Sequence, residues 1–106
     1  MNSLIERQAL IDQEVVDALI IATPETWHAA DMQVLRGREG EQDKLMITIS
    51  SPEGHLDSVG PTDEILEALR KLLVHFREHE KTWVEVIYKA LMKENGDWTY
   101  SIQFKY

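Results

Sequence analysis

The chain has 106 residues and no cysteine, with 19 Asp and Glu against 11 Lys and Arg, a formal net charge of -8 with neutral histidines. The missing thiols exclude disulfide frameworks, thiolate metal sites and cysteine nucleophiles, and they fit a reducing compartment. At 43% hydrophobic residues this is one small acidic domain with enough apolar material for a core, and no apolar run approaches the ~20 residues that span a bilayer.

The acidity is uneven. Residues 81–106 hold three acids and four bases, so the whole negative excess lies in the first 80 residues. Such a surface repels nucleic acid and favours a basic protein partner. Glu6, Asp12 and Glu14 stand where a secretory leader would be basic and then uninterruptedly apolar, so a cytoplasmic location is expected.

Leu4, Ile11, Val15, Ala18 and Ala22, widened by Val16 and Leu19, recur at helical spacing. The helix opens on a Ser3–Glu6 capping box and ends at Thr23-Pro24. Trp27 to Arg36 and Lys44 to Ser51 read as two strands joined by the polar loop Gly37 to Asp43. A second helix starts at Thr62, its N-cap, with Asp63 and Glu64 complementing the dipole and Ile65, Leu66, Leu69, Leu72, Leu73 and Phe76 as its apolar stripe.

Thr82 to Lys93 and Trp98 to Tyr106 flank Asn95-Gly96 and form the last hairpin. A two-residue turn would set Lys89 opposite Ile102 and place charge in the core. A three-residue loop, Glu94 to Gly96 with Gly96 left-handed, instead pairs Met92 with Trp98, Ala90 with Tyr100, Tyr88 with Ile102 and Val86 with Phe104. The predicted architecture is α+β, in the order helix, strand, strand, helix, strand, strand. Its four-stranded, mainly antiparallel sheet carries both helices mostly on one face.

Motifs for catalysis are sparse. Arg36-Gly37-Arg38-Glu39-Gly40 lacks phosphate-loop spacing, and Ser50-Ser51 has no nucleophile elbow around it. His75 and His79 lie one turn apart, yet two imidazoles do not complete a metal site. No cofactor, metal or enzymatic activity is therefore expected. Strict alternation puts Val84, Val86 and Tyr88 toward the helices, so Trp83, Glu85 and Ile87 share the opposite face with Asp31 and Met46. Two explanations stand for that much apolar surface: a docking patch, or coverage by one of the helices. The acids Glu39, Glu41 and Asp43 in the first hairpin loop, with Glu53 and Asp57 before the second helix, are the electrostatic handles for a partner.

The helix running into Thr23-Pro24-Glu25-Thr26-Trp27, the second helix ending in Phe76, the step to Thr82-Trp83, and Glu94-Asn95-Gly96-Asp97-Trp98 closing on Phe104-Lys105-Tyr106 resemble the YezG-like immunity proteins. These are small acidic bacterial proteins that neutralise polymorphic toxins. The resemblance implies a stoichiometric inhibitor that binds a cognate toxin, a basic nuclease, and occludes its substrate groove. An acidic adaptor or chaperone-like module for a basic or partly unfolded client is the alternative.

Overall fold

Each half of the chain is a helix followed by a hairpin. In the computed structural model, which describes residues 3–39, 42–78 and 83–106, these are α1 (Ser3–Ala22), β1 (Ala29–Glu39), β2 (Gln42–Ser50), α2 (Asp63–Glu78), β3 (Glu85–Met92) and β4 (Trp98–Lys105). The α+β order matches the sequence reading. Thr62 caps α2 as expected, its Oγ accepting the Ile65 amide at 3.2 Å. The side chain of Ser3, and with it the capping box, lies outside the described residues.

The two hairpins join through their first strands, giving the order β2-β1-β3-β4 with every pair antiparallel. Val34 stands opposite Val86 and Met32 opposite Tyr88, so the two central strands present one continuous apolar strip. Both helices pack over that strip. Ile11, Val15, Val16 and Leu19 from α1 and Ile65, Leu69, Leu72 and Phe76 from α2 close the core against Ala30, Met32, Val34, Val86, Tyr88 and Ala90. Each such aliphatic side chain contributes about 1.5 to 3 kcal/mol by leaving water.

The last hairpin has the register derived from its turn chemistry. Met92 pairs with Trp98, Ala90 with Tyr100, Tyr88 with Ile102 and Val86 with Phe104. Lys93 donates to the Asp97 carbonyl at 2.6 Å and accepts from Gly96 at 2.9 Å. Gly96 has φ 91°, a conformation that costs a side-chain-bearing residue and leaves glycine indifferent.

Two expectations need correction. The predicted loop Gly37 to Asp43 is mostly ladder, because pairing continues through Arg38 with Asp43 and Glu39 with Gln42. β3 accompanies β1 only as far as Leu35. Beyond it the first hairpin is a two-stranded ribbon, where polar residues are as good as apolar ones.

The second correction concerns Trp83. Val84 donates its amide to the Lys105 carbonyl at 2.8 Å, while Glu85 is itself the partner of Lys105 across the ladder. Two residues thus oppose one, which is a β-bulge, and the alternation slips by one place. Val84 turns outward, 52% exposed, and Trp83 turns inward at 1%. Its ring meets Phe104 edge-on at 6.2 Å and lies 5.8 Å beneath the Arg36 guanidinium.

One carboxylate sits inside the core. Asp12, 6% exposed, accepts a hydrogen bond of 2.9 Å from the Tyr88 hydroxyl. Burial pushes its carboxyl above the usual carboxylate range, and hydrogen bonds from Tyr88 and Gln8 offset this only in part. The folded chain therefore holds the proton more tightly than the unfolded one. The stabilisation this gives is complete below the ordinary value of 3.8 and is lost as pH rises through the raised one. Urea denaturation across pH should show that loss in the native chain and not in Asp12→Asn, which keeps an acceptor for Tyr88 without the charge. Tyr88→Phe strands the carboxylate and should cost about 1 to 3 kcal/mol at neutral pH.

Candidate functional site

With both helices on one side, the other sheet face is uncovered by any described element. Its cross-strand rows are Met46, Leu35, Glu85 and Lys105, then Thr48, Gln33, Ile87 and Gln103, then Ser50, Asp31, Lys89 and Ser101. Met46, Leu35 and, further along β3, Leu91 are exposed apolar side chains. Ile87 is half-buried among them.

The acids on this face are compensated. Glu85 is 8% exposed, accepts a hydrogen bond from the Gln33 amide, and is paired with the Lys105 ammonium at 3.1 Å. The Gln33 bond first and Lys105 second hold its carboxyl below the usual range. Asp31 stands directly across the ladder from Lys89, and Lys44 occupies the exposed end of β2. Among the described side chains this face has two carboxylates and three lysines, and so no negative excess. Trp83, expected on this face, is in the core on the far side of the sheet.

Glu53 and Asp57 are brought together, in a fastening of the fold. Glu53 accepts the His28 amide at 2.6 Å and lies 3.5 Å from His28 Nδ1 and 3.7 Å from His55 Nε2. Asp57 accepts from the Trp27 indole at 3.2 Å, and His55 stacks on that indole with centroids 5.9 Å apart. The β2–α2 connection is thereby tied to the start of β1. Ser51 serves the same connection, its Oγ accepting the Glu53 and His55 amides at 3.2 and 3.3 Å. Of the first-hairpin acids, Glu41 and the side chains of Glu39 and Asp43 lie outside the described residues, as does His79.

A further depression lies on the opposite side of the molecule. The helices run antiparallel, with Arg7 3.8 Å from Glu78 at one end and Glu14 2.9 Å from Lys71 nearer the middle. Past that bridge, between the end of α1 and the start of α2, is a groove of about 560 Å³. Ala18, Ala68 and Ile21 form its apolar lining, and Glu14, Asp17, Asp63, Glu64 and Glu67 its walls. Ile21 is 81% exposed. The sequence reading used Glu14 against a secretory leader and Asp63 with Glu64 as complements of the α2 dipole, and did not bring the five acids together. The signal was present in the spacing, since Glu14, Asp17, Ala18 and Ile21 fall on one helical face, and so do Asp63, Glu64, Glu67 and Ala68.

Among the described residues no three of His, Asp and Glu are placed to hold a metal ion. No described helix is long and apolar enough to cross a membrane. No protein-family model matches the sequence, and no curated protein matches it significantly.

Trp83→Ala should lower stability by about 3 to 5 kcal/mol in chemical denaturation, as expected of a large core side chain. Leu91→Ser on the open face should stay within about 0.5 kcal/mol of the native chain. The His28 amide bond holds the Glu53 carboxyl below its ordinary value of 4.5. The tether is intact above that value and is released as pH falls through the lowered one. Hydrogen exchange should accordingly show the His28 amide opening faster in Glu53→Ala without global unfolding.

Proposed function

We propose that this protein is a stoichiometric inhibitor of a cationic bacterial toxin, working as an immunity protein in the cytoplasm, and that the toxin is a nuclease. The observation that carries the reading is where the charge lies: the sheet face is balanced, whereas the helical groove gathers five carboxylates around apolar side chains. Nucleases hold phosphate through Lys and Arg, so an acidic surface of this kind competes for the same residues. The resemblance to YezG-like immunity proteins supports the same class. Glu53, Glu85 and Asp12 are committed to amides, a lysine and a tyrosine, which are the attachments of structural groups.

Inhibition in this reading needs no chemistry. Charge accelerates the encounter, and apolar contact slows release. The adaptor reading draws on a different observation, the exposed Leu35, Met46 and Leu91 of the sheet face, which suit a partly unfolded client.

The test is co-expression with the toxin encoded beside its gene. A one-to-one complex should co-purify, nuclease activity should vanish at equimolar protein, and association should slow about tenfold or more between low and high salt. Inhibition well below equimolar amounts, or no complex, would overturn the proposal.

A further inference from the structure

We infer that the groove between α1 and α2 receives a basic amphipathic helix of the partner protein, its apolar side chain on Ile21 and its Lys or Arg residues along the carboxylate walls. This rests on the inhibitor reading for who the partner is, and on the groove alone for the partner's chemistry.

Charge selects the sign of the guest. Of the cations bordering the walls, Lys71 is bound to Glu14 at 2.9 Å and Arg70 to Glu67 at 3.1 Å. Asp17, Asp63 and Glu64 add three further carboxylates to the same groove. The last turn of α1 carries no basic residue, and the positive end of the α2 dipole beside it is already matched by Asp63 and Glu64. A guest ammonium or guanidinium adds the cation that α1 itself does not supply.

Shape selects the guest's conformation. The walls are two helices, which present side chains and no sheet edge, so the groove has no ladder to offer an extended peptide. A guest that satisfies its own backbone is a helix, and two parallel ridges with small Ala18 and Ala68 between them accept a third.

Polarity selects its direction. Toward the other end of the helix pair the lining becomes mixed, with Arg7, Arg70 and Lys71 beside Val74 and Ile11. The guest's basic residues therefore gather at the α1 C-terminal end.

A synthetic Leu/Lys amphipathic helical peptide, with a Leu/Glu counterpart, is the probe, and methyl resonances of the intact chain are the readout. The Leu/Lys peptide should shift Ile21, Ala18 and Ala68 and saturate at one equivalent, and the Leu/Glu peptide should shift nothing. Asp17→Lys with Glu64→Lys should weaken binding at least about tenfold, while Asp31→Lys on the sheet face leaves it unchanged. Shifts centred on Met46 and Leu91, no shifts, or equal weakening by Asp31→Lys would overturn the assignment. Toxin inhibition that survives undiminished in the Asp17→Lys, Glu64→Lys chain would also remove the groove from the interface, leaving the inhibitor reading in place. Peptide capture in the groove by a chain that forms no toxin complex would support the groove and remove the inhibitor.

Discussion

Two helices can cover one face of a four-stranded sheet, and the described residues of this chain form only two. All its apolar packing is accordingly invested on one side, where β1 and β3 lie at the centre and α1 and α2 close over them. Everything else follows from that one-sidedness. The uncovered face must live in water, and it sets opposite charges in cross-strand rows: Glu85 is held between Gln33 and Lys105, and Asp31 stands across from Lys89. A sheet face treated in this way is a poor place for unpaired acids, and half of the surplus charge lies on the two helices.

How much of this was legible in the sequence depended on range. The β3–β4 register was readable because Gly96 and the alternation on both strands are local, and a wrong register would have buried Lys89. Thr62 announced α2 for the same reason. The joining of the hairpins through β1 and β3 was not readable, since either edge satisfies the same pattern. Asp12 was read only as one of the acids near the start of the chain, because its partner Tyr88 lies 76 residues away. The bulge at Val84 escaped because period two carries no mark of an inserted residue, and the error reversed the sides of Trp83 and Val84.

The candidate site shows the same division. Single acids were read correctly as charges, but what each does depends on what the fold sets beside it. Glu53 and Asp57, near in sequence to one another, are occupied by Trp27 and His28 from the far side of the first hairpin. Glu14 and Asp17 acquire meaning only when α2 brings Asp63, Glu64 and Glu67 across from them. Electrostatic character is a property of neighbours, and neighbours at long range are what a linear reading lacks.

The bulge has a further consequence for how this gene can change. Val84 points into solvent, so its codon is free to drift among many amino acids. Its removal would also leave the interior in place, because a strand one residue shorter restores simple alternation and sets Trp83, then directly before Glu85, on the inward face. Selection at this site therefore bears little on identity and little on the presence of the extra residue, so descendants should diverge here by replacement and by in-frame deletion of this one position.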